Sequence, residues 1–192
     1  MSEFEKMLAG KEYDPSDFEV RRKNNKGKNL IRKYNAVPAE NIQEKSKILN
    51  ELFEKCGKNV RINQPFYVDF GCNISIGDNS IINFNCSFLD TNKIIIGKNA
   101  VIAPDVKIYA AYHPVNGRER FCQKESGESF LITASSPVVI GDDVWIGGGS
   151  IILPGVTIGN NVVIGAGSVV TKSIPENIVA YGNPCRVIRE NK

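Results

Sequence analysis

The sequence predicts a parallel β-helix, a prism of short strands stacked coil upon coil, and three observations carry that prediction. Aliphatic residues recur every six positions through residues 138–170: Ile140, Ile146, Ile152, Ile158, Ile164 and Val170. Four of the first five are followed by glycine (Gly141, Gly147, Gly159, Gly165). Four positions after each of those five stands a small or β-branched residue: Val144, Ser150, Val156, Val162 and Ser168. A helix wants a period near 3.6 and a flat strand a period of 2. A period of six fits neither, but it fits a short strand and a turn repeated many times.

The aliphatic residue of each repeat points into a narrow prism and stacks on its equivalents in neighbouring coils. The glycines and the pairs Asp142-Asp143 and Asn160-Asn161 suit tight corners, where a positive φ costs them little. The pattern resembles that of the left-handed parallel β-helix, an exception to the right-handed crossover rule.

At 192 residues the chain suits one compact domain with a sizeable core. Its net charge of +3 is too mild to imply a nucleic-acid partner, although a polyanionic cofactor fits. No apolar run reaches the roughly 18 residues of a membrane helix, so no membrane partner is expected. The first ten residues, MSEFEKMLAG, do not read as a secretory signal. Five cysteines, odd in number and without a C-x-x-C spacing, read as reduced thiols of a cytoplasmic protein.

Residues 1–58 have the texture of a helical cap. Phe4, Met7 and Leu8, then Leu30, Ile31 and Tyr34, then Ile48, Leu49, Leu52 and Phe53 recur at helical spacings. Three helices are expected, with turns at Asp14-Pro15-Ser16 and Ala36-Val37-Pro38. The run Arg21-Arg22-Lys23 reads either as a solvated helix face, the commoner case, or as a cap overhanging a substrate pocket. Residues 59–192 read as the β-helix and its tail. Phe70, Ile76, Ile82 and Phe88 hold the period, residues 90–93 interrupt it, and Ile96, Ile102 and Ile108 resume it. Residues 113–137 then leave the coil as a long polar excursion, a feature usually functional in a compact domain. After Val170 the chain departs through Thr171 and Lys172 to a C-terminal tail.

His113 is the only histidine, at the point where a regular coil meets the excursion. Taken alone it reads more readily as a turn residue, but a break in a repeat is where a site is commonly built. Imidazole changes charge near physiological pH and can take a proton from a hydroxyl or an amine. One histidine also excludes a three-histidine zinc site, and no cysteine or carboxylate cluster replaces it, so no metal is expected.

The segments MLAGKEYDPSD, LIRKYN, INFNCSFLD, AAYHPV, VVIGDDVWIGGG, PGVTIGNNVVIGAGSVVTK and GNPCRVI occur in one order over almost the whole chain. In this the sequence resembles the maltose and galactoside O-acetyltransferases. The resemblance implies an acetyl-CoA-dependent transferase acting on a sugar-like acceptor, a homotrimer with active sites between neighbouring subunits. It implies His113 as the general base and Asn83 as a residue that places the acceptor and the reacting groups. Asp17 matches an acid of the cap that bonds sugar hydroxyls, and Trp145 an indole beside the pantetheine arm. Gly148 matches a backbone N–H donor to the thioester oxygen. Ala166, Thr171 and Lys172 match cofactor contacts along the coil, and Arg186 and Arg189 cations near the adenosine phosphates.

Three departures fall on the acceptor side. Asn24 stands where the family often has arginine, with Arg21 or Arg22 as possible substitutes; Thr91 stands where some galactoside enzymes have a second acid; and the stretch from His113 to Trp145 is longer. Direct transfer is expected, because no nucleophile beside a second histidine is available for an acyl-enzyme. Acetylation of an amino group is the alternative within the enzyme class, and a non-catalytic β-helix scaffold the alternative outside it.

Overall fold

The computed structural model describes residues 1–123 and 127–192 and is a capped parallel β-helix. Three parallel sheets form the prism walls. The first takes its strands from 55–56, 74–76, 94–96, 138–140 and 157–158, and the third from 66–68, 86–89, 107–109, 151–152 and 169–170. The second holds 61–62, 81–82, 101–102, 145–146, 163–164 and 178–181, closed by an antiparallel strand at 186–190. The first rung thus begins at Lys55, slightly before residue 59.

Inward positions stack in register. Ile76, Ile96, Ile140 and Ile158 follow one another up the first sheet, and Ile82, Ile102, Ile146 and Ile164 up the second. All eight side chains are buried. Buried serines are satisfied by corner carbonyls, as where Ser150 Oγ donates to Gly147 O at 2.7 Å.

At the corners between the first and second sheets the Asp and Asn pairs behave as the sequence predicts and the glycines do not. Positive φ falls on Asn59, Asn79, Asn99, Asp143, Asn161 and Asn177, not on the glycines that follow the aliphatic residues. These side chains also form a ladder: Asn59 donates to Asn79 at 3.0 Å, Asn79 to Asn99 at 3.3 Å and Asn99 to Asp143 at 2.9 Å. The glycines serve close approach instead. A Cβ on Gly97 would lie 2.6 Å from the backbone of Gly141 in the next coil.

Three helices close the N-terminal end: α1 (Glu3–Leu8), α2 (Phe18–Ala36) and α3 (Ile42–Leu52). Leu30, Ile31, Tyr34, Ile48, Leu49 and Leu52 join the prism core over Phe66. Tyr34 anchors the lid by donating to Ile62 O at 2.6 Å, and Asn35 pairs with the backbone of Phe66 in both directions. Gly27 lets α2 lie on the first coil, since a Cβ there would sit 2.0 Å from Phe70 O.

Phe70 does not occupy a coil position. It belongs to a second cluster with Met7, Tyr13 and Val20, between cap and prism. The true interval at this edge is eight residues, from Val68 to Ile76 and again from Phe88 to Ile96. Phe70 lies six before Ile76 only because the corner between the third and first sheets is two residues longer than the others. In the next coil that same corner expands into the long excursion.

Among its described residues the excursion forms a paired arm. Ala111-Tyr112 pairs antiparallel with Ala134-Ser135, and Phe121–Gln123 with Ser129–Leu131, around a 3-10 turn at Gly117–Glu119. Residues 124–126, expected as part of this loop, lie outside the described residues. The stem is tied to the cap: Asn92 Nδ2 donates to Ser135 Oγ at 2.9 Å, Ser135 Oγ to Met7 O, and Tyr13 bridges Thr133. Among the described residues no helix is long and apolar enough to cross a membrane.

Candidate active site

His113 sits where the arm leaves the prism, at the edge between the third and first sheets. Its Nδ1 lies 2.9 Å from Ile132 O, across the stem of the arm. A carbonyl only accepts, so Nδ1 carries the proton and the lone pair is left on Nε2. Tyr13, Arg21, Asn24, Asp69, Thr91 and His113 line one pocket of about 400 Å³.

Two of these residues are legible departures. Asn24 faces the pocket and donates to Asp69 O at 3.2 Å, and Arg21, not Arg22, shares the pocket with it. Asp69 and Tyr13 were not anticipated. Burial raises the Asp69 carboxyl above its ordinary range, while Lys28 at 3.9 Å pulls it back down. The signal for Asp69 was the two-residue surplus at its corner.

That corner is held by a buried acid. Asp90 Oδ1 accepts from the N–H groups of Asp69 at 3.1 Å and Phe70 at 2.8 Å, and Oδ2 from Asn73 N at 3.3 Å. Burial pushes the Asp90 carboxyl up to about 7, against the pull of those backbone donors. Asp17 has a structural task as well. It caps α2, accepting from Glu19 N at 2.9 Å and Val20 N at 3.2 Å, and does not line the His113 pocket.

Asn83 lies elsewhere, at the edge between the second and third sheets. Its Oδ1 accepts from Phe84 N at 3.0 Å and Asn63 Nδ2 at 3.2 Å, which leaves its own Nδ2 as a donor. Gly148 and Ala166 stack along this same edge in later coils. No hydrogen bond from the N–H of either is found among the described residues. Trp145, 53% exposed, stands on the second sheet between Val101 and Val163. Arg186 begins the closing strand opposite Tyr181, with Arg189 opposite Val179. Thr171 and Lys172 are instead at the His113 edge, following the strand 169–170. Lys172, Arg186 and Arg189 are exposed, and none has an ion-pair partner among the described residues.

The expected residues therefore fall into two sets at opposite ends of the third sheet's strands. From the corner at Asn83 to the end of the strand Cys86–Leu89 the chain runs roughly 20 Å along its length. Asn83 and His113 thus stand on different edges of the prism. Among the described residues no three His, Cys, Asp or Glu side chains cluster as a metal site.

A parallel β-helix of six-residue repeats closed by a helical cap is the architecture of the hexapeptide-repeat acyltransferase class. Residues 137–172 match the model for the bacterial transferase hexapeptide, and residues 6–57 that for the maltose acetyltransferase capping motif. A solved maltose O-acetyltransferase from Clostridium difficile 630 is 48% identical, with a TM-score of 0.93 over 100% of this chain and 98% of that one. The galactoside O-acetyltransferase of Escherichia coli K12 is 41% identical over 97% of this chain and 88% of its own length. A galactoside acetyltransferase solved in complex with coenzyme A is 40% identical, with a TM-score of 0.91 covering 100% and 92% of the two chains. The chain belongs to the maltose and galactoside O-acetyltransferase family and is an acetyl-CoA-dependent acetyltransferase.

Proposed function

We propose that the chain transfers acetyl directly from acetyl-CoA to a hydroxyl of a sugar-like acceptor, with His113 as general base, at sites shared between subunits of a cytoplasmic homotrimer. The observation that carries the reading is the bond from His113 Nδ1 to Ile132 O, which commits Nε2 to acceptance at the wall of the 400 Å³ pocket. Nε2 takes the proton of the acceptor hydroxyl as its oxygen attacks the thioester carbonyl carbon. The oxyanion so formed takes the N–H of Gly148 and the Nδ2 of Asn83, for neither of which a hydrogen-bond acceptor is found among the described residues. The carbon–sulfur bond then breaks, and the coenzyme thiolate leaves with the proton from the imidazolium. Trp145, Ala166, Thr171, Lys172, Arg186 and Arg189 hold the cofactor, and Asp17 serves the acceptor side from the end of α2.

The two-edge distribution supports the trimer. One subunit's His113 edge must meet a neighbour's Asn83 edge for both sets to surround a single thioester. Apolar side chains left outside the prism support it too, with Phe84 49% exposed on the Asn83 edge and Phe121 63% exposed on the arm. The free state of all five cysteines fits a reducing compartment. Thiol release from acetyl-CoA, measured across mono- and disaccharides and their amino-sugar counterparts, tests the reading. Hydroxyl acceptors should turn over and lose most of that turnover in His113→Ala; turnover of the amines alone would replace O- with N-acetylation.

A further inference from the structure

A larger concavity of about 730 Å³ lies outside the His113 pocket, on the outer face of α2. Arg21 and Asn25 line both, so the two are neighbours across those side chains. The outer groove follows α2 from Phe18 to Lys33, a span of roughly 22 Å at helical rise. Arg22, Lys26 and Lys33 face it, against a single acid, Glu51, which stands 3.5 Å from Lys26.

A basic run on a helix is ordinarily a solvated face, but here the run lines a concavity. Of the α2 cations outside the groove, Lys23 pairs with Glu19 at 3.8 Å and Lys28 with Asp69 at 3.9 Å, while Arg32 has no ion-pair partner among the described residues. Arg21, Arg22 and Lys33, which line it, have none among the described residues. Phe18, 80% exposed, offers an apolar platform in the same groove. A concave, elongated, positively charged groove beside the His113 pocket fits a chain of sugars, not a single ring.

We propose that the acetyl acceptor is an acidic oligosaccharide: the residue acetylated beside His113 occupies the inner pocket, and an anionic substituent further along the chain sits against Arg22 and Lys33. The proposal rests on the acetyl-transfer reading above. Guanidinium groups suit it, because their paired N–H donors match carboxylate, sulfate or phosphate oxygens.

The test compares a neutral tetrasaccharide with the same tetrasaccharide bearing a uronic carboxylate, or a sulfate, in thiol-release kinetics and in calorimetry. The acidic forms should show a KM lower by about fivefold at low salt with kcat little changed, an advantage that shrinks in about 0.5 M salt. The double variant Arg22→Ala/Lys33→Ala, altered only outside the His113 pocket, should abolish that advantage. Equal KM values for neutral and acidic forms, or an advantage that survives in the double variant, would overturn the proposal. Calorimetry separates the two readings. An acidic tetrasaccharide that binds the wild type but not the double variant, without thiol release, supports the groove and removes the transfer chemistry. Turnover with no charge preference and no such binding removes the groove and leaves the chemistry.

Discussion

At the scale of single residues, the decisive contact is a hydrogen bond between a side chain and a carbonyl. His113 is fixed in one tautomer by Ile132 O, so its ring needs no rearrangement before it accepts a proton. A positioned general base contributes about 10²–10⁴ in rate, roughly 3–5 kcal/mol of barrier. His113→Ala should lower kcat by that factor with acetyl-CoA binding, read by calorimetry, nearly unchanged; retention of most activity would remove His113 from the reaction. Lys172 and Arg189 should behave in the opposite way. They are exposed cations without an ion-pair partner among the described residues, so Lys172→Ala or Arg189→Ala should raise the KM for acetyl-CoA several-fold, more at low salt, and leave the acceptor KM alone. A change confined to the acceptor would show that the tail is not a cofactor site. These roles are legible in the sequence only as a resemblance. The tautomer, on which the proposed role of His113 rests, depends on a carbonyl nineteen residues away across the arm.

At the scale of elements, the period of six was readable because every wall strand repeats the same demand, an aliphatic side chain in a prism too narrow for anything else. What escaped was local. Phe70 mimicked a coil position because a corner two residues too long shifted the register under it. Positive φ was expected of the glycines and of the Asp142-Asp143 and Asn160-Asn161 pairs alike; Asp143 and Asn161 take it, whereas coil-to-coil approach is what requires the glycines. The arm pairs with itself and so obeys neither period. Asp90 could not be read at all as the pin of corner 69–73, since its partners are backbone groups. Asp90→Ala would leave the N–H groups of Asp69, Phe70 and Asn73 without acceptors, at about 1–3 kcal/mol each. Asp90→Asn keeps one acceptor oxygen and should fall between the two in urea midpoint. The pH dependence has a definite sign. The native carboxyl is held up at about 7 and the unfolded one titrates near 4, so between those values the native state retains a proton that the unfolded state releases. Stability from this group should therefore be fullest near pH 4, decline as pH rises towards 7, and level off above it. Asp90→Asn should flatten that decline; an unchanged slope would assign it to other groups.

At the scale of the whole molecule, the sequence order of the site residues concealed their distribution. Asn83 and His113 are close in number and belong to successive coils, yet stand on different edges of the prism, a separation visible only once each coil is known to hold 20 residues there, as from Ser75 to Ile95. A site split in this way makes a quantitative demand on assembly. Two inactive variants, His113→Ala and Asn83→Ala, should complement each other when co-expressed or refolded together. With equal amounts and random association into cyclic trimers, about three-quarters of the trimers contain both variants, and each of those has one interface of three with an intact His113 facing an intact Asn83. Specific activity should therefore recover to about a quarter of the wild-type value, with acceptor and acetyl-CoA KM values like those of the wild type. Each variant alone, and a mixture of the two without subunit exchange, should stay at the residual level. Recovery near zero after verified exchange would mean that each subunit completes its own site, and the roles of Asn83 and Gly148 at the thioester would then pass to groups on the His113 edge.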